Sequence, residues 1–410
     1  MSDVINPFLD DEDEVAPQPV ATTAPTFRVN RAPAPAEPVE PVEAEPEPAA
    51  VEPQEDEGPS WGQKGFRKGV PNPHKGTPRT RVTEATAPIL AFVGKLPGCT
   101  AEAPALISVT KGIEHLGQEG GKLRTVPGTL KLLKKFEGMG LVTSYTSKGE
   151  NGVTHWGITS EGVVQAQEYG HLLEPNEASI EGLSGMAYER LNHYRYVALV
   201  AAKYASPSKK AFALTGIEHV GLDELISEPQ VRRDFYDTKT LLEANKKEGK
   251  PSDWGILRTR LLKEAQESVN KGLIGWEDFM VANPTLRMFG LPLSEFGNGK
   301  PMTKHEPDLF INRDRYRSTA ASKSILAEIE LTRKHWNAIA SFLTVMAFEK
   351  KHRLVIEEVH LHTHRRDIVK LYKKVDKAIG TDLVESGFLK FKPLTHADGT
   401  PVVIKNKVGD

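Results

Sequence analysis

The sequence predicts a multidomain α+β / α/β chain: a disordered tail, a small helical domain closed by a two-stranded hairpin, and a larger domain built on a mixed sheet. Three observations point there. Charge is split along the chain, since residues 1–60 hold 15 Asp and Glu against two Arg, leaving +11 on the rest of a chain of formal charge −2. Between residues 85 and 172 the apolar spacing is first helical and then strand-like. Beyond residue 185, short apolar runs alternate with helical stretches and carry spaced acids.

At 410 residues the chain exceeds the usual size of one domain, and its 39% hydrophobic content suffices for real cores. A single cysteine, Cys99, excludes an internal disulfide framework and a Cys-based zinc cluster, and fits a reducing, cytoplasmic setting. No apolar run reaches membrane-spanning length, and the N-terminus opens acidic where a signal peptide opens basic. The expectation is a soluble protein without a membrane partner.

Residues 1–60, rich in Pro, Ala and Glu, bury too little apolar surface to offset chain entropy and are expected to be extended and disordered. Residues 61–84 form a basic linker with Lys64, Arg67, Lys68, Lys75, Arg79 and Arg81, interleaved with Trp61 and Phe66.

In residues 85–172, helices are expected at Pro88 to Val93, Ala101 to Val109 and Thr125 to Met139. The third has Val126, Leu130, Leu133 and Phe136 on one face. A strand from Leu141, a turn at Ser147 to Gly152 and a return strand at Val153 to Ile158 follow. The runs Leu132-Leu-Lys-Lys-Phe-Glu-Gly-Met-Gly-Leu-Val142 and Trp156-Gly-Ile-Thr-Ser-Glu-Gly162 resemble the winged helix-turn-helix domains of bacterial DNA-binding proteins. That resemblance implies a third helix in the major groove of double-stranded DNA and a wing along the phosphates. Thr125, Thr129, Lys131, Lys134 and Lys135 are then groove candidates, with Lys148 and Asn151 at the wing tip.

Residues 185–395 hold a helix at Gly185 to Ala205, strands at Trp276 to Val281, Asp308 to Asn312 and Ile325 to Leu331, a helix at Lys334 to Lys350 and a strand at Leu354 to His362. Residues 205–260 contain mixed short elements, with a helix over Leu257 to Asn270. His193 and Arg195 read as structural groups, and Glu189 as a further acid on the first helix. A helix at Asp367 to Ile379 and a strand at Leu389 to Pro393 follow, and residues 396–410 form a tail with Lys405 and Lys407.

The acids carry the chemistry. Glu306-Pro-Asp-Leu-Phe-Ile311 and Ile325-Leu-Ala-Glu-Ile-Glu-Leu-Thr332 set Asp308, Glu328 and Glu330 on neighbouring strands, where converging carboxylates suit a hard cation such as Mg²⁺ or Mn²⁺. This order and spacing resemble the PD-(D/E)xK, or restriction-endonuclease-like, fold. The resemblance makes Asp308 and Glu328 metal ligands, while the lysine expected two positions after Glu328 is Glu330 here. Glu330 as a second-metal ligand or base, or Lys334 or Arg333 as the missing cation, would restore catalysis.

Together with Leu191-Asn-His-Tyr-Arg-Tyr-Val-Ala-Leu199, these motifs resemble the actinobacterial plasmid replication-relaxation family. The resemblance implies action on plasmid or phage DNA in replication, transfer or relaxation, with the acidic tail a contact for replication or transfer proteins, and leaves open whether the chain nicks DNA or only binds it. A different constellation, His360-Leu-His362 extended by His364, resembles the metal motif of tyrosine relaxases, with Tyr372 as the nucleophile to match it. The competing expectation there is an exposed strand end facing DNA or solvent.

Overall fold

The computed structural model describes residues 82–110, 122–147, 152–174, 176–180, 182–217, 219–275, 283–291, 304–312, 324–352 and 355–404. The chain divides into two units, Met1–Arg79 and Thr80–Asp410, and every described residue belongs to the second. The acidic tail, the linker up to residue 81, Lys148, Asn151, the strand expected at 276–281, and Lys405 and Lys407 lie outside the described residues.

Three helices come first: α1 (Ala87–Lys95), α2 (Glu102–Ile107) and α3 (Val126–Gly138). Two-residue strands β1 (Val109–Thr110) and β2 (Lys122–Leu123) pair antiparallel ahead of α3. Thr125 caps α3, its Oγ1 accepting from the Gly128 amide at 3.2 Å, and proline in the first turn removes a donor the helix has no use for. The buried face of α3 is Thr129, Leu133 and Phe136, while Val126, counted in the apolar stripe, is exposed.

Gly140, at φ 75°, reverses the chain into the antiparallel hairpin β3 (Val142–Thr146) and β4 (Thr154–Ile158). Thr159 then does two jobs: its hydroxyl donates to Gly140 O at 2.7 Å and accepts from the Gly162 amide at 3.1 Å. It ties the hairpin's base to the start of α4 (Ser160–Gln167). Gly162 is sterically required there, because a Cβ would lie 2.0 Å from Leu141 O.

After α5 (Tyr188–Tyr204) and α6 (Lys209–Thr215) comes β5 (Leu225–Ser227), and this three-residue strand pairs antiparallel with the Pro-Asp strand. Helices α7 (Glu228–Asp234), α8 (Tyr236–Lys247) and α9 (Trp254–Asn270) follow. The remaining elements are β6 (Leu309–Ile311), β7 (Ser324–Ile329), α10 (Trp336–His352), β8 (Ile356–Thr363), α11 (Arg366–Ile379) and β9 (Leu389–Pro393).

The five-stranded sheet runs β5-β6-β7-β8-β9. Its first two pairings are antiparallel and its last two parallel. Every residue of β7 is buried, as a central strand covered on both faces must be. Strand alternation splits the core in two. Leu309, Ile311, Ile325, Ala327 and Ile329 join a cluster with α1 and α5, whereas Phe310, Leu326, Val359 and Leu361 join one with α10 and α11. The first cluster takes Phe92 and Leu133 together with Val197 and Ile325, so residues 85–172 and 185–395 contribute to one core. Residues after β9 fold back, with the Val402 amide donating to Leu394 O at 3.1 Å. No described helix is long and apolar enough to cross a membrane.

Candidate active site

The acids meet where β6 begins and β7 ends. Asp308 directly precedes β6, and its Oδ2 accepts from the Ile329 amide at 2.7 Å, which sets its carboxylate beside the residue between Glu328 and Glu330. Its Oδ1 lies 2.9 Å from His193 Nε2 on α5. Glu328 points to the α10 face, where its Oε1 lies 2.8 Å from His305 Nε2. The His305 ring in turn packs edge-on against Phe342 of α10. Glu330 accepts from the Tyr372 hydroxyl at 2.9 Å and pairs with Lys334, which precedes α10.

Each carboxylate therefore has a basic partner, distant in the chain for Asp308 and Glu328 and four residues on for Glu330. Burial works against the Asp308 charge, but the His193 imidazolium outweighs it and holds Asp308 below the usual carboxylate range. Burial likewise works against His193, and Asp308 overrides it, raising the imidazole to about 9. Glu328 goes the other way: burial raises it, the Asp308 charge adds to the rise, and His305 only partly offsets both. Two nearby carboxylates pushed in opposite directions form a pair with different proton affinities. Lys334, opposed by burial, is held protonated by Glu330 and Glu328.

Around this cluster stand residues the sequence reading passed over. Glu228 opens α7, its amide donating to Asp308 O at 3.2 Å, and its carboxylate pairs with Arg232, which also donates to Glu306 Oε2 at 2.9 Å. His193, Glu228 and Asp308 have potential ligand atoms all within 4.8 Å of one another. His193, which its helix context reads as a structural group, is thus a partner of Asp308, and nothing local marks Glu228. His305 carried a signal: it stands three residues before Asp308, beside the Pro-Asp motif. Glu189 is exposed and belongs to no such group among the described residues.

The histidine constellation is a different object from the one its spacing suggested. His360 and His362 do share a face of β8, but that face is buried under α5. Tyr204 Oη lies 2.6 Å from His360 Nδ1 and 3.0 Å from His362 Nε2. Glu358 reaches His360 Nε2 at 2.8 Å and Lys390 Nζ at 2.6 Å. Burial holds both imidazoles below their ordinary pKa, His362 well below. His364 lies past the end of β8. Tyr372 belongs to the opposite core, buried on α11 with its hydroxyl on Glu330, and burial followed by the Glu330 charge pushes its pKa up. The tyrosine these two histidines meet is Tyr204, not Tyr372.

On α3, Lys131, Lys134 and Lys135 are exposed and Thr125 serves as the cap. Thr129 is fully buried and cannot reach a DNA groove. In comparisons with protein-family models, curated proteins and solved structures, no match to the chain is found.

Proposed function

We propose that this chain binds double-stranded DNA and nicks it with Mg²⁺ or Mn²⁺, acting on plasmid or phage DNA as the replication-relaxation resemblance implies. The observation that carries the reading is that Asp308, Glu328 and Glu330 stand at the adjoining ends of β6 and β7, Asp308 bonded to the amide between the two glutamates, with Lys334 folded back onto Glu330. The succession of α5, the antiparallel strands β5, β6 and β7, α10 and the parallel β8, with α6 before β5 and α7, α8 and α9 between β5 and β6, supports a restriction-endonuclease-like domain. Three helices followed by the β3–β4 hairpin support a winged helix, with the exposed lysines of α3 available to phosphates.

The donors fit a hard cation: they are carboxylate oxygens, and Asp308 is held ionised. Asp308, Glu328 and Glu330 would hold the ion, which when bound supplies Lewis acidity to the phosphate. Lys334, four residues after Glu330 in place of two after Glu328, provides the positive charge that stabilises developing negative charge on phosphoryl oxygens. Tyr372 fixes the Glu330 carboxylate by its hydrogen bond.

The test is incubation with supercoiled plasmid in Mg²⁺ or Mn²⁺, beside Asp308→Ala, Glu328→Ala and EDTA controls. Nicking by the wild type alone is expected. One observation favours a second reading, a non-catalytic DNA-binding scaffold: His193, His305 and Lys334 already neutralise all three acids. DNA binding without metal-dependent nicking would put that reading first.

A further inference from the structure

We infer that His193, Glu228 and Asp308 form a second cation site, selective for a transition ion such as Mn²⁺ or Zn²⁺ over Mg²⁺. For its purpose it rests on the nuclease reading, since it shares Asp308; for its existence it rests on geometry. The three residues come from α5, the start of α7 and the residue before β6, elements brought together only by the sheet. Their ligand atoms all lie within 4.8 Å of one another. Donors on one ion at about 2.1 Å stand roughly 3.0–4.2 Å apart, so shifts under about 1 Å complete the set.

The ion pair between His193 and Asp308 accounts for two of the three groups, and Glu228 is held beside them by its amide on Asp308 O and by Arg232. An ion taken up here displaces the His193 proton to solvent; two carboxylates and the resulting neutral imidazole then balance a divalent charge, and the imidazole turns the preference from Mg²⁺ toward Mn²⁺ or Zn²⁺. Arg232, bridging Glu228 and Glu306, orients the Glu228 carboxylate from outside.

A second, independent feature points to a ligand. Glu228 and Asp308 line a cleft whose wall includes Leu96, Tyr194 and Ser227. Ser227 is 1% exposed, and its Oγ has no hydrogen-bond partner among the described residues. A buried hydroxyl with no partner among the described residues, in the cleft that Glu228 and Asp308 line, is open to a ligand, and the water on a bound ion provides one.

The experiment uses full-length protein stripped with EDTA, titrated with Mn²⁺ or Zn²⁺ by calorimetry, with pulsed EPR on the Mn²⁺ form. Wild type is expected to show ¹⁴N coupling from His193, a readout that needs no variant. His193→Gln and Glu228→Gln should each weaken binding of the nitrogen-coupled ion by at least about tenfold, while Glu328→Gln and Glu330→Gln, which act on the other ion, leave the ¹⁴N coupling in place. No bound ion, an ion without nitrogen coupling, or binding indifferent to His193→Gln would overturn the site. Binding lost only in Glu328→Gln also overturns it and leaves the nicking reading standing; nitrogen-coupled binding without plasmid nicking does the reverse.

Discussion

Two clusters of titratable groups occupy the same sheet, one at the meeting of β6 and β7 and one along β8, and burial acts on them with opposite results. In the acid cluster every buried carboxylate meets a base, and charge is kept: Asp308 is held ionised and His193 protonated. In the histidine cluster the common partner of the two imidazoles is the neutral Tyr204, and charge is expelled from both. Desolvation penalises ions in both places. What decides the outcome is the balance between desolvation and all the charges nearby: Asp308 overrides burial at His193, whereas at His360 the Glu358 carboxylate at 2.8 Å does not, because Lys392 and Lys390 oppose it. The first cluster is suited to cations and phosphates, the second to tying α5 onto the sheet.

The largest expected effect tests whether the acid cluster's charge is chemical. Lys334→Met should lower plasmid nicking by about 10²–10³-fold with DNA affinity retained. Unchanged nicking would remove Lys334 from the chemistry. Next, Tyr204→Phe strands two buried imidazole nitrogens and should cost about 1–3 kcal/mol in urea unfolding, with nicking intact. A variant as stable as wild type would show that the histidine cluster is not a structural tie.

The pH dependence separates the clusters by sign. The His193 pKa, raised from 6.5 to about 9 by Asp308, gives stability that is fully present below 6.5 and lost as pH rises through 9. His360 and His362, depressed by burial, give stability present above their ordinary 6.5 and lost as pH falls through their lowered values. Thermal unfolding in EDTA should therefore show an alkaline decline flattened by His193→Gln and an acidic decline flattened by His362→Gln. The smallest effect lies on α3, where each of Lys131→Gln, Lys134→Gln and Lys135→Gln should reduce the salt slope of DNA binding by about 0.9 if it contacts a phosphate.

Local features were legible to the residue in places. The strand Leu389–Pro393 has the bounds its alternation predicts, and α3 starts at its Thr cap and ends near its Gly pair. Thr129 had a signal too, since it stands four residues before Leu133 and seven before Phe136, on the face that packs. The three-residue β5 offers too few positions to show a period. His360 and His362 follow from alternation as a pair on one face, but whether that face meets solvent or α5 depends on an element 156 residues away.

Pattern alone thus determined the strand and helix periods, the Pro-Asp and Glu-x-Glu spacing, and the replacement of the expected lysine by Glu330. Only the tertiary structure decided which base meets each acid. His193 reaches Asp308 across 115 residues of chain, and no local pattern encodes that pairing. Charge interactions depend on separation in space and on burial, and both are set by how the sheet stacks its helices.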